Sequence, residues 1–176
     1  PISLNREILV CYAPRGDDVV RVRNLDSAYG ERCFSIEEEV PKERVSTVKE
    51  WLAWTQRKTD RRKEEGTNRD WVNKLKAVPV YMRVREPERK LNGFDAVLSS
   101  SIPARMGLSS SSAIVVAVLE IMTDINRVAL SDDEFTACCG IGEWYVGTRG
   151  GSGDHAAIKF GRSGMITHMR TLPRLE

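Results

Sequence analysis

Residues Ala113 to Met122 form the longest nearly unbroken apolar run in the chain, interrupted only by Glu120. The run falls well short of the roughly 18 residues a membrane span requires, yet it is too apolar around its circumference to lie on a protein surface. It therefore reads as a buried core helix, about Ser110 to Val128, and the rest of the chain must supply layers to wrap it. A strand-like stretch, Phe94 to Leu98 after Asn92-Gly93, precedes it, with Pro103 breaking the chain between the two.

The wrapping layers can be located by their periodicity. Arg6 to Pro14 alternates around Ile8, Val10 and Tyr12, and Val19 to Leu25 sets Val20 and Val22 against Arg21 and Arg23; with Gly16-Asp17-Asp18 between them, the pattern predicts a β-hairpin. Arg32 to Ile36 adds a third short strand. After Pro41, Val45, Val48 and Leu52 fall at helical spacing behind a capping box formed by Thr47 and Glu50. The mixed charge run from Arg57 to Glu65, closed by Gly66, fits a solvated helix face, because acids interleave with the basic residues and no aromatic platform accompanies them. Thr67 and Asp70 form a second capping pattern ahead of Trp71, Val72, Leu75 and Val78, with Pro79 expected to limit that helix. A third capping box, Ser131 and Glu134, starts a helix expected to run to Val146 and stop at Gly147. Two short strands, Ala156 to Phe160 and Met165 to Met169, are expected to close the chain as a hairpin. The order of strands, helices, strand, two helices and hairpin predicts an α+β fold, with helices packed on one face of a mixed sheet.

Charge and cysteines narrow the function classes. With 27 Lys+Arg against 25 Asp+Glu in 176 residues the formal charge is only +2, which speaks against a dedicated nucleic-acid or membrane-surface protein. The four cysteines, Cys11, Cys33, Cys138 and Cys139, lack C-x-x-C spacing, so neither a zinc site nor a secreted disulfide framework is expected and a cytoplasmic location fits. The chain opens on Pro1-Ile2-Ser3, with neither an initiator Met nor the layout of a signal peptide, and the expectation is that the natural protein begins upstream.

Two segments carry the chemistry. In the first, Pro103 to Ala113, a loop of small residues with Gly107 and Leu108 leads through Ser109, Ser110, Ser111 and Ser112 into the apolar helix. The first amides of a helix lack intrahelical partners and sit at the positive end of its dipole, so such a mouth suits phosphate oxygens, and a serine hydroxyl can also offer a neutral oxygen to Mg²⁺. The same serines could serve only as a cap and its surroundings. The Walker pattern is absent, since no Lys follows Gly107. In the second segment, Glu143 to His155, four glycines between Gly147 and Gly153 form a loop that can pass close to a ligand and delivers Asp154 to the start of the next element. Asp154 alone could merely form an Asx-turn. Glu143 falls in the last helical turn, where its charge opposes the dipole; a metal, Arg149 or simple exposure would each relieve it.

Pro103-x-x-x-Gly107-Leu108-Ser109-Ser110-Ser111-Ser112-Ala113 resembles the second signature of the GHMP kinase superfamily, in the serine-rich form closest to galactokinases. Glu143 to Ala157, read as E-x-x-x-G-T-x-G-G-x-x-D-x-A-A, is similar to the galactokinase stretch that carries the acidic residues. The segment Gly93 to Leu98 and the stretch Arg6 to Leu25 have the same look. The resemblance implies a ribosomal protein S5 domain 2-like fold, with residues 1–176 an incomplete N-terminal, ATP- and substrate-binding domain and the C-terminal domain outside the chain. It also implies ATP-dependent transfer of the γ-phosphate to a sugar hydroxyl, the anomeric one, with ATP and Mg²⁺. Pro103, Gly107, Leu108 and Ser109 to Ser112 would then hold the nucleotide. Ser111 and Glu143 would bind the metal, Gly150 and Gly151 would help hold the sugar, and Asp154 would be the catalytic carboxylate at the hydroxyl. Aspartate being a weak base, that role is as much orientation as proton abstraction.

This sequence departs from the galactokinase pattern at His155, where Gln is usual, and at Ser152-Gly153, which adds a small residue before the Asp. His155 and His168 are expected to be structural and Arg105 exposed. Two other classes compete. One is a non-catalytic kinase-like sensor of ATP and sugar, against which the retention of Ser111, Glu143 and Asp154 argues; the other is an RNA-binding module, which rests on fold analogy alone.

Overall fold

A computed structural model of the chain describes residues 4–104 and 106–169. A four-stranded sheet carries β1 (Ile8–Pro14), β2 (Val19–Asn24), β3 (Glu31–Ser35) and β4 (Phe94–Ser100) in the order β1-β4-β2-β3. The helices are α1 (Ile36–Glu39), α2 (Val48–Glu64), α3 (Val72–Arg85), α4 (Ser110–Ile125), α5 (Asp132–Gly142) and α6 (Gly153–Phe160), with a 3₁₀ turn over Glu143–Val146. Of these, α1, α3 and α4 pack against the strands, α5 against α3 and α4, α6 against α4 and α5, and α2 against the 3₁₀ turn. The α+β reading with a mixed sheet holds. Val20, Val22, Phe34, Phe94, Ala96 and Leu98 point into the core, while Leu9, Cys11, Arg21, Arg23 and Val97 stay exposed on the other face.

The expected hairpin between β1 and β2 does not form. β4 runs between them, antiparallel to β1 from Ile8↔Ser100 to Pro14↔Phe94 and parallel to β2 from Val20↔Phe94 to Asn24↔Leu98. Alternation along a strand reports which face is buried and is blind to which strand is the partner. Strands sit about 4.8 Å apart, so the four-residue connection from Arg15 to Asp18 needs to span only roughly 10 Å to step over β4. Gly93 makes that crossing possible: a Cβ there would lie 1.9 Å from the Val19 carbonyl oxygen, and its amide donates to Asp17 at 2.6 Å. Arg15 fastens the crossing, donating to both Asp17 and Asp95.

The apolar run forms the central helix. In α4, Ala113, Val115, Val116, Val118, Leu119, Ile121 and Met122 are all buried, against α3, α5, α6 and β1. α2 begins at the capping box read from Thr47 and Glu50, both halves of which are present, and α5 begins at that of Ser131 and Glu134. α3 departs from expectation, since it passes through Pro79 and ends at Arg85. An interior proline costs about 3 kcal/mol in helix stability. Leu75, Ala77, Val78 and Val80 around it are at most 1% exposed, and burying those side chains outweighs that cost.

The segment after Ser152 also differs. Ala156 to Phe160, read as a strand, lies in helix α6, and Met165 to Met169 contains only an isolated bridge at Ile166. Ala156 and Ala157 favour helix, and α6 buries His155 and Ala156 against α4 and α5, a tertiary pattern too short to register as helical periodicity. α5, expected to reach Val146, ends at Gly142 and gives way to the 3₁₀ turn, which Gly147 terminates at φ +93°. No helix among the described residues is long and apolar enough to cross a membrane.

Candidate active site

Three backbone features converge at the N-terminal end of α4: the loop leaving β4, the 3₁₀ turn and the first turn of α6. Ser109 sits in the left-handed region at φ 53°, ψ 35°, uncommon for a residue with a Cβ, and its side chain makes no cap on α4. The hydroxyl instead donates to Asp154 Oδ2 at 2.8 Å, across 45 residues of sequence. The serine run is thus not merely a cap. The first intrahelical bond at this end is from the Ala113 amide to Ser109 O, so the amides of Ser110, Ser111 and Ser112 are left without an intrahelical acceptor at the positive end of a 16-residue helix.

The second pair lies about half a helical turn along. Ser111 Oγ donates to Glu143 Oε1 at 2.8 Å and Ser112 Oγ to Oε2 at 3.4 Å. Glu143 is 5% exposed. Burial alone would push its carboxyl up, but His155 and the two serines offset this and hold it below the ordinary glutamate value. The three ways of relieving its charge considered from sequence do not include this arrangement. Arg149 is not the partner, donating instead to Trp144 O and Gln56. His155 Nε2 stands 3.2 Å from Glu143 Oε2, at ion-pair distance but outside hydrogen-bond alignment, so neither ring nitrogen has a hydrogen-bond partner among the described residues. At 1% exposure His155 is a core side chain aimed at the site. The structural role expected of His155 fits this burial, although it comes from helix α6 and not from the start of a strand.

Ser109 and Asp154 also line a cavity of about 490 Å³, whose walls include Leu4, Arg6, Leu108 and Ile158. Asp154, in the first turn of α6, is exposed to it. Pro103, Gly107 and Leu108 lie on the exposed loop above, where a side chain on Gly107 would meet nothing within 4 Å. Gly150 and Gly151 occupy the exposed loop between the 3₁₀ turn and α6, and no hydrogen bond joins them to Ser109, Ser111, Glu143 or Asp154 among the described residues. His168 is exposed rather than structural, and Arg105 lies outside the described residues.

The donors present suit a hard divalent cation. Ser111 and Glu143 offer one neutral and one charged oxygen, the sparse protein ligation Mg²⁺ accepts when phosphates and waters complete its octahedron. Among the described residues no cluster of three or more His, Cys, Asp or Glu gathers into an all-protein metal cage. An uncapped helix mouth, an oxygen pair and an exposed carboxylate together can bind a polyphosphate and hold a hydroxyl beside it.

Comparison with known proteins bears on the family and the fold. The galactokinase of Roseiflexus sp. (strain RS-1) is 28% identical over 164 residues, covering 93% of this chain and 35% of the relative. That of Candida parapsilosis is 24% identical over 180 residues, covering 100% of this chain and 32% of the relative. The chain therefore spans about a third of the length of the curated relatives it matches. The crystal structure of Lactococcus lactis galactokinase complexed with galactose superposes with a TM-score of 0.67 at 21% identity, covering 91% of this chain and 35% of that one, which establishes the shared fold. The model of the GHMP kinases N terminal domain matches residues 73–162, which hold α3, β4, α4, α5 and α6, and the chain belongs to that family.

Proposed function

We propose that this chain forms the ATP- and substrate-binding part of a galactokinase-like sugar kinase, which transfers the γ-phosphate of ATP to a sugar hydroxyl, the anomeric C1 hydroxyl, with Mg²⁺. The observation that carries the reading is the pair of 2.8 Å contacts, Ser109 to Asp154 and Ser111 to Glu143, which bring the helix mouth and both carboxylates together. The similarity to galactokinases supports the substrate class.

In this reading the amides of Ser110 to Ser112, with the open approach at Pro103, Gly107 and Leu108, take the nucleotide phosphates. Ser111 and Glu143 hold the metal, and Gly150 and Gly151 flank the sugar. Mg²⁺ supplies neutralisation of the phosphate charge that grows as the bridging oxygen leaves. Asp154 has one oxygen engaged by Ser109 and the other, without a hydrogen-bond partner among the described residues, available to accept a bond from the sugar hydroxyl. As the sugar oxygen bonds to the γ-phosphorus, the bond from phosphorus to the bridging oxygen breaks and ADP departs. The hydroxyl proton passes to the carboxylate of Asp154. Positioning and electrostatics do most of this work, which suits a site with one exposed carboxylate and no strong base.

The test is ATP-dependent phosphorylation of galactose by the protein and its Asp154→Asn variant. Removing the general base is expected to lower turnover by about 10²–10⁴-fold with the nucleotide affinity unchanged. Undiminished turnover would take Asp154 out of the mechanism.

A further inference from the structure

A second cavity, of about 690 Å³, lies between the segment joining α1 to α2 and the last turn of α3, and it shares no wall residue with the cavity that holds Ser109 and Asp154. Its charged walls are Lys42, Glu43, Arg44, Arg83 and Arg85. Two of these are already engaged. Glu43 pairs with Arg57 at 2.6 Å, and Arg83 with Glu37 at 2.5 Å and the Pro87 carbonyl. Lys42, Arg44 and Arg85 are in no ion pair among the described residues; Arg44 bonds only Ser46 Oγ, and Glu50 and Glu134 sense Arg44 and Arg85 from beyond pairing distance. The N-terminus of α2 opens on the same cavity but contributes little, because the Glu50 carboxylate already accepts the Ser46 and Thr47 amides. Arg85 is also drawn to the Cys138 side chain, outside this cavity, so Lys42 and Arg44 are the two cations left to serve the concavity beside the apolar surface of Val48 and Val84.

We propose that this cavity binds a small organic phosphate, separately from the kinase site. The Arg44 guanidinium and the Lys42 ammonium match the double charge and tetrahedral oxygens of a phosphate monoester better than a single carboxylate, and an arginine fork binds such oxygens in bidentate fashion. The volume falls in the range of small-molecule sites and exceeds what inorganic phosphate alone would fill, leaving the valine wall for the organic part. The site also has a physical connection to the catalytic end: Trp51 lines the cavity, and its indole Nε1 donates to Ile141 O at 2.9 Å, two residues before Glu143.

That indole N–H is a local reporter. In ¹⁵N-correlated spectra of the protein titrated with glucose 6-phosphate, the Trp51 indole signal is expected to shift saturably, with inorganic phosphate binding at least about tenfold more weakly for want of an apolar part. Lys42 and Arg44 are exposed, so Lys42→Glu with Arg44→Glu should fold and weaken the titration by at least about tenfold. Should the charge reversal disturb folding, Lys42→Ala with Arg44→Ala is expected to give a smaller loss in the same direction. Ser111→Ala should leave the titration intact, which separates this cavity from the helix mouth. A Trp51 signal that stays fixed, equal affinity for the two probes, or variants titrating like the parent would each overturn the assignment.

Discussion

The 3₁₀ turn Glu143–Val146 has two polar clusters on its two sides, and they differ in how fully their bonding capacity is used. On one side Tyr145 donates to Glu39 Oε2 at 2.7 Å, with Lys58 at 3.5 Å from the same oxygen, and Lys76 holds Oε1 at 2.6 Å. Arg62, 9% exposed, packs its guanidinium 4.4 Å from the centre of the Tyr145 ring and donates to Tyr145 O, Asn73 and Thr59. Every charge there has a partner. On the other side Glu143 rests on two serines and a histidine whose ring nitrogens remain unbonded. A buried cluster that is fully satisfied rigidifies its surroundings, whereas one with spare capacity is where a ligand can be recognised. The closed cluster thus anchors the turn, and the open one presents Glu143 to the helix mouth.

The comparison is broken most severely by removing Arg62. Arg62→Ala deletes four interactions and leaves the Tyr145 carbonyl and Asn73 side chain short of a donor, a loss of about 3–5 kcal/mol by analogy with disrupted buried pairs. For a chain of this size that corresponds to a fall in Tm of roughly 6–20 °C, measurable by thermal denaturation. Arg62→Met, which fills the space without a charge, should fall less; equal losses would mean that the hydrogen bonds and charge of the guanidinium carry its contribution and its packing carries none.

Glu143→Gln sharpens the comparison from the open side. The amide keeps the shape and can still accept from Ser111, so Tm should move by less than about 2 °C, because no buried charge is stranded. The Mg²⁺ concentration needed for half-maximal binding of ATP, read by calorimetry, is expected to rise about tenfold to a hundredfold, equivalent to about 1.4–2.7 kcal/mol. A large loss of stability with an unaltered Mg²⁺ titration would make Glu143 a structural anchor like Tyr145 and erase the distinction between the two clusters.

How much of this was legible in the sequence depended on whether the signal was local. The capping boxes at Thr47–Glu50 and Ser131–Glu134 and the apolar run of α4 are carried within a few residues, and each matches the structure. The partner of β1 is far away in β4, with pairs running from Pro14↔Phe94 to Ile8↔Ser100, and alternation along β1 contains nothing that names it. Pro79 reads locally as a stop, and only the tertiary burial of α3 reverses that. At the site, the glycine-leucine-serine run and the carboxylates at 143 and 154 could be picked out as polar or acidic residues in unusual company. The inward aim of His155 and the burial of Arg62 inside a run read as solvated could not, because both depend on which helix face meets a neighbour. Arg62 differs from Arg57 and Arg61 in facing the core, and with Thr59 it marks the positions of that run that helical phase turns inward.

The smallest expected effect is on the pH dependence of stability, and it asks whether both carboxylates are held charged. For Glu39 burial raises the pKa, but Lys76, Tyr145 and Lys58 more than reverse it, and the net direction is downward from 4.5. Glu143 moves the same way, with His155, Ser111 and Ser112 opposing burial. A carboxyl whose folded pKa lies below its unfolded value stabilises the native state above the unfolded value, and that contribution is lost as pH falls through the folded one. The unfolding free energy from urea titrations should therefore decline below pH 4.5, and Glu39→Gln and Glu143→Gln should each flatten the decline. The two clusters separate in their response to salt. Glu39 is held by ammonium groups that are 16% and 34% exposed, so added salt should weaken its share of the slope. Glu143, held by hydroxyls and a ring that is 1% exposed, should keep its share. If salt erased both contributions alike, Glu143 would be within reach of solvent ions, and the buried character assigned to the open cluster would be wrong.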